Sequence, residues 1–187
     1  MPSIAAGHLK GMALAVPRHI RATESKVRQA MFNILGGLVQ GARVIDGFAG
    51  SGALGLEALS RGASEVIFLE SDKDCLKALG KNLQRLRPDQ VPGRWEVKAG
   101  DAFRGLKGLQ GSGRFDLILL DPPYDGPWGK KSLLVVEECG ILNSAGVLCI
   151  EHARNDELPE RIGRLALVAQ HRYGSTVLSL YRLSQPS

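Results

Sequence analysis

Long apolar runs are missing from this sequence. No stretch reaches the roughly 18 consecutive apolar residues of a membrane span, and Met1 to Lys10 has no apolar run behind a basic start. Neither a spanning helix nor a secretory signal is expected, which leaves the cytoplasm as the compartment. Cysteine is scarce and unpatterned. Cys75, Cys139 and Cys149 are odd in number, far apart and free of any CxxC spacing. That argues against a disulfide framework or a zinc site and for reduced, structural thiols. His8, His19, His152 and His171 are scattered and form no metal-ligand pattern, so no metal is expected. Internal repeats and low-complexity runs are also lacking.

What is present fits one globular domain. The chain has 187 residues, 44% hydrophobic and 23% charged, enough to bury a core but cramped for two domains. A monomer is the default. Acidic residues are rare at the start: residues 1 to 45 hold Lys10, Arg18, Arg21, Lys26, Arg28 and Arg43 against Glu24 alone. This quarter carries the chain's whole excess of +5, and the remainder is neutral. A solvated basic arm and a phosphate-contacting extension on a neutral catalytic body both account for it.

From about Arg43 the sequence alternates short β-rich runs with helical patterns. Strands are expected at Arg43–Asp46, Glu65–Glu70, Trp95–Ala99, Phe115–Leu120 and Gly146–Glu151. Helices are expected at Leu54–Ser60, Asp72–Leu86 and Lys130–Cys139. Leu165–His171 and Thr176–Arg182, separated by Tyr173-Gly174-Ser175, read as a closing hairpin. Such alternation gives an α/β fold with a parallel sheet covered on both faces, and the hairpin adds an antiparallel strand. Residues 1–40 form an N-terminal extension, with a hairpin over Ile4–Val16 and a helix over Thr23–Leu35. Residues 41–187 form the core.

Ligands of open parallel sheets collect beyond the carboxyl ends of the strands, and this sequence places chemistry at four of them. The first strand ends in Asp46-Gly47-Phe48-Ala49-Gly50-Ser51-Gly52, an acid followed by a turn through which backbone can approach a ligand. The helix after it offers free N–H groups to an anion. Gly50-Ser51-Gly52-Ala53-Leu54-Gly55 also matches GxGxxG, and Glu70 follows 18 residues after Gly52. A nicotinamide oxidoreductase is therefore a rival, although four residues precede the first glycine where a dinucleotide fingerprint starts at the strand end. Glu70 ends the second strand and suits ribose hydroxyls of either cofactor. Gly100-Asp101-Ala102 ends the third and suits an adenine, or an ordinary turn.

Asp121-Pro122-Pro123-Tyr124 ends the fourth strand and decides between the two. Two prolines fix the backbone and donate no hydrogen bonds, holding the Asp121 and Pro122 carbonyls rigid. A carboxylate and a carbonyl together accept both protons of an –NH2 group, and Tyr124 offers a face to a planar base. A dehydrogenase has no use for such a segment.

On these residues the sequence resembles a family over nearly its whole length. The run from Asp46 through Gly50, Gly52 and Gly55 to Ala63, together with Asp121 to Tyr124, is similar to the bacterial 16S rRNA guanine-N2 methyltransferases. Gly7 to Gly11, Arg21 to Thr23 and Val27 to Leu35 resemble that family's basic hairpin and first helix. Met12, Ala22 and Gln29 depart from its usual residues. The resemblance implies a Rossmann-like class I methyltransferase with a seven-stranded, mostly parallel sheet, one antiparallel strand and S-adenosylmethionine as cofactor, converted to S-adenosylhomocysteine. It implies Asp46, Gly50 and Gly52 around the methionine part, Glu70 on the ribose, and Asp101 and Ala102 on the adenine. Gly47, Ala49, Ser51, Ser71 and Asp121 complete the cofactor set. Asp121, Pro122, Pro123 and Tyr124 hold the target guanine. Arg21 and Thr23 close over the cofactor, and Lys10, Arg18, Arg21, Lys26 and Arg28 meet RNA. The partner it implies is 16S rRNA within an assembled or assembling small subunit. A DNA adenine-N6 methyltransferase, a small-molecule methyltransferase and a non-catalytic rRNA-binding factor stay open beside it.

Overall fold

The computed structural model describes residues 2–17, 25–87, 89–124 and 126–184. Helix α1 (Ser25–Leu35) precedes strand β1 (Arg43–Gly47). There follow α2 (Ala53–Ser60), β2 (Glu65–Glu70), α3 (Lys73–Leu83), β3 (Arg94–Ala99), α4 (Ala102–Lys107), β4 (Phe115–Leu120) and α5 (Trp128–Cys139). The chain closes with β5 (Leu142–Ala153), β6 (Arg161–Ile162), β7 (Leu165–Tyr173) and β8 (Thr176–Leu183). One sheet takes them all in the order β3-β2-β1-β4-β5-β8-β7-β6. Pairings among β1 to β5 are parallel, and those from β5 onward are antiparallel.

The sheet has eight strands where seven were expected. The extra one, β6, is a two-residue edge pair to Leu165 and Ala166, too short to leave a periodic signal. The hairpin closes as expected, with Gly174 at φ 61 between paired Tyr173 and Thr176. Helix α4 was not expected either, because its six residues fall below the length at which helical periodicity is legible.

Alternate residues of each strand feed two cores. Val44, Val66, Phe68, Leu117, Leu119 and Cys149 join one cluster with α1 and α2. Ile45, Ile67, Leu69, Ile118, Leu120 and Ile150 join the other with α4 and α5. All eight residues of α2 are buried, because residues 2–17 lie across its outer side. In place of a hairpin ladder this segment makes a single bridge, Ser3 to Ala13, and becomes a strap. Ile4, Leu9 and Leu14 anchor it in the core. Its backbone donors that lack a ladder partner are satisfied by polar side chains of α2. Glu57 accepts from the Ala5 and Ala6 amides at 2.8 and 3.1 Å, and Ser60 Oγ accepts from Leu9 at 2.8 Å.

Strand order reverses between β1 and β4, so their carboxyl ends open a crevice. Gly47 pairs with Leu120 there, which brings Asp121 beside the start of the glycine-rich loop.

Candidate functional site

A cavity of about 490 Å³ lies at this crevice. Phe48, Ala49, Gly50 and Ser51 form one wall, Glu70, Ser71, Asp72 and Cys75 a second, and Asp121 to Tyr124 a third. Val16 of the strap and Glu151 and Thr176 of the C-terminal strands complete it. Thus the glycine loop, the acid ending β2 and the Asp-Pro-Pro-Tyr segment share one enclosure.

The loop's shape comes from Gly50 at φ 56 and Gly52 at φ 84, both left-handed. The two glycines do different work. A side chain at Gly52 would strike Leu79 of α3 and Phe68 of β2, so Gly52 lets the loop pack closely against both. At Gly50 a Cβ would meet nothing within 4 Å, leaving backbone open to a bound molecule. Phe48 is the one positive-φ non-glycine among the described residues, at φ 61. Its ring meets Phe103 edge-on at 5.5 Å, and Phe103 stacks on Trp128 at 6.0 Å, which fixes the ring despite the uncommon backbone.

Glu70 orders the second wall. Its Oε1 accepts from the amides of Ser71 and Asp72, both at 2.7 Å, and its Oε2 accepts from Gly50 at 2.6 Å. One carboxylate thereby ties β2 to the glycine loop. Asp72 caps α3, accepting from Asp74 and Cys75 at 3.0 and 2.8 Å. Burial pushes the Cys75 thiol up to about 12, with Glu70 and the Asp72 side chain adding to the shift. It is therefore no nucleophile at neutral pH.

Asp46 stands behind the loop. It is 1% exposed, and its Oδ2 accepts from the Gly55 amide at 2.7 Å. Burial raises its carboxyl well above the ordinary range; the Gly55 hydrogen bond opposes this, and Asp121 and Glu70 reinforce it. Gly47 and Gly52 are also off the cavity surface. Asp101 caps α4 through the Arg104 amide at 2.9 Å, and neither it nor Ala102 lines the cavity. The adjacent Gly100 donates to the Glu70 carbonyl at 2.7 Å, which keeps this turn at the β2 end of the site.

Pro122 is buried, Pro123 exposed, and Asp121 and Tyr124 half-buried. The Tyr124 hydroxyl donates to Glu151 Oε1 at 2.5 Å and lies 3.3 Å from Thr176 Oγ1. Burial and that carboxylate together push its pKa up, so it stays a neutral phenol. Glu151, Thr176, Val16 and Phe48 were not anticipated as site residues. Glu151 could have been, as an acid ending the fifth strand.

The cationic set divides. Lys10 and Lys26 are exposed, and Arg18, Arg21 and Thr23 lie outside the described residues. Arg28 corrects the expectation of an RNA contact: it is 0% exposed. It donates to the Ser3 carbonyl and lies 3.6 Å from Glu57. Desolvation lowers its pKa, against the pull of Glu57. It fastens the strap and meets no solvent. Among the described residues no three His, Cys, Asp or Glu side chains gather to hold a metal ion.

A family profile described as conserved hypothetical protein 95 matches residues 3–182. The chain belongs to this family. It is 34% identical to ribosomal RNA small subunit methyltransferase D of Haemophilus influenzae, over 83% of this chain and 80% of that protein. Identity to the Escherichia coli protein of the same name is 30%, over 96% and 88%. The solved structure of the E. coli protein yhhF, described as a candidate methyltransferase, superposes with a TM-score of 0.83 at 30% identity, covering 97% of both chains. The family's architecture is therefore the Rossmann-like class I methyltransferase fold.

Proposed function

We propose that this protein transfers a methyl group from S-adenosylmethionine to the exocyclic N2 of a guanine in 16S rRNA of the small ribosomal subunit. The observation that carries the reading is the convergence of Asp121-Pro122-Pro123-Tyr124 with Glu70 and the loop Phe48–Ser51 on one cavity. The names of its relatives support an rRNA substrate.

The residues present fit that cofactor. Glu70, Asp72, Asp121 and Glu151 put acids on the walls. Such a lining favours a sulfonium cation. Gly50 leaves backbone open where a side chain would fill space. When bound, the cofactor supplies an electrophilic methyl, so the protein needs no covalent intermediate.

The chain's own task is to present the nucleophile. An exocyclic amine delocalises its lone pair into the ring. The Asp121 carboxylate and the Pro122 carbonyl would accept hydrogen bonds from the two amine protons and turn that lone pair outward, and the carboxylate would take the one proton released once N–C has formed and S–C has broken. Positive charge grows on nitrogen in the transition state, and the carboxylate stabilises it. Holding the reacting atoms about 3 Å apart supplies much of the remaining acceleration. Tyr124, held in place by Glu151, offers its ring to a base that has left its stack.

The test is to incubate the protein with labelled S-adenosylmethionine and unmethylated small subunits, digest the RNA and identify the modified nucleoside by mass spectrometry. N2-methylguanosine at one site is expected. Label on adenine N6, or in DNA alone, would replace the substrate assignment while keeping base-amine transfer.

A further inference from the structure

The charge of the chain looks confined to its N-terminal quarter only when counted along the sequence. In space a second basic feature stands beside the cavity. Lys73, Lys77 and Lys81 recur at every fourth residue of α3, and all three are exposed. That spacing places them on one face, about 6 Å apart along the helix axis. Among the described residues none of the three has an ion-pair or hydrogen-bond partner. Several other surface cations are paired locally: Arg43 and Arg94 share Glu65, Lys98 meets Glu96, and Arg61 meets Glu57. Three like charges in a row repel one another, and only Lys81, in the last turn, complements the helix dipole. Asp74 is the one acid within the same helix.

The stripe borders both the site and the strap. Its helix starts at Asp72 and Cys75, which line the cavity. The strap runs along the same helix: Arg85 donates to the Ala13 carbonyl, and Asn82 binds both backbone groups of Ala15. Pro17, the last described residue of the strap, lines a recess with Lys77 and Lys81. The sequence continues from there into Arg18 and Arg21.

We propose that the outer face of α3, through Lys73, Lys77 and Lys81, is a phosphate-contacting track for the RNA strand that delivers the target base to the cavity. This rests on the reading of an RNA substrate given above. The three lysines contact backbone and carry no base specificity, so they set affinity and its salt dependence and leave the chemical step alone.

The test replaces all three (Lys73→Gln, Lys77→Gln, Lys81→Gln) and compares binding and methylation of small subunits and of protein-free 16S rRNA across a salt series. A control carries Arg161→Gln, Arg164→Gln and Arg172→Gln at the far edge of the sheet. Each phosphate contact contributes about 0.7 to 0.9 to the slope of log affinity against log salt, so three lost contacts make it shallower by about 2 to 3. The expected variant also shows a KM for the RNA substrate raised about tenfold, with kcat at saturation and cofactor affinity kept. A slope equal to that of the wild type, or an equal change in the control, overturns the track while leaving the function reading intact. Weakened binding to intact subunits alone, with protein-free rRNA bound equally by both forms, overturns it in favour of a ribosomal protein contact. A wild-type protein that neither binds nor methylates the RNA overturns the function reading and the track with it.

Discussion

Asn82 donates from Nδ2 to the Ser51 carbonyl at 2.9 Å and is itself 0% exposed. The same side chain donates to the Ala15 carbonyl at 3.0 Å and accepts from the Ala15 amide at 2.8 Å. One buried amide thus joins the strap, α3 and the glycine loop. Val16, next to Ala15, lines the cavity.

Asn82→Ala is expected to leave these backbone groups without partners and to destabilise the protein by about 1–3 kcal/mol. Cofactor affinity should fall about tenfold, equivalent to about 1.4 kcal/mol, with kcat at saturating cofactor little changed. Calorimetric titration with S-adenosylmethionine and thermal melts read the two effects. Unaltered cofactor binding in a destabilised variant would assign Asn82 to the fold alone.

Asp121→Ala should abolish methyl transfer while leaving cofactor binding mostly intact. Loss of a transition-state electrostatic contact costs about 10² to 10³ in kcat, and here the same side chain also orients the amine. Single-turnover transfer, with cofactor affinity measured alongside, checks this. Full activity in the variant would sink the proposed mechanism.

Asp46 makes a pH prediction. Its carboxyl is raised in the folded protein, with burial the largest cause. The native state therefore holds its proton more tightly than the unfolded chain, where an aspartate titrates near about 3.9. The stability this contributes is complete below that value and is lost as pH rises toward the folded value. Asp46→Asn removes the loss and can keep an acceptor for the Gly55 amide. Without cofactor, the melting temperature of the variant should gain on that of the wild type as pH rises from about 4 toward neutrality. Parallel curves over that range would show that Asp46 has no raised pKa.

Arg28→Ala should act on stability and not on RNA binding. It removes the cation beside buried Glu57 and the donor to Ser3. Glu57 keeps Arg61 at 2.8 Å and the Ala5 and Ala6 amides, so the expected cost is that of leaving the Ser3 carbonyl without its donor, about 1–3 kcal/mol. Chemical denaturation should show that loss, while the salt dependence of RNA affinity at a temperature where the variant is folded stays that of the wild type. A shallower salt slope would restore Arg28 as a phosphate contact.

The parts legible in the sequence were those whose signal is local. Buried strands, the glycine loop after Asp46 and the Asp-Pro-Pro-Tyr segment each announce themselves within a few residues, and their meeting follows from strand-end geometry. Arg28 was misread because charge normally implies solvent, and its partner Glu57 comes from a different element. The anchoring of the N-terminal hairpin on α2 was not legible because its acceptors, Glu57 and Ser60, lie more than fifty residues away. The α3 stripe was hidden by a charge count along the chain, although the fourfold spacing of Lys73, Lys77 and Lys81 was there to be found.

Val16 and Thr176 face the same cavity, so its wall draws on both ends of the chain. A polypeptide emerging from the ribosome can complete its β1–α2 and β2–α3 units early, yet the enclosure does not exist until β8 has paired with β5. A ligand that touches every wall of the cavity therefore needs the C-terminal strands in place. A ligand that binds only the finished enclosure draws the folding equilibrium toward it.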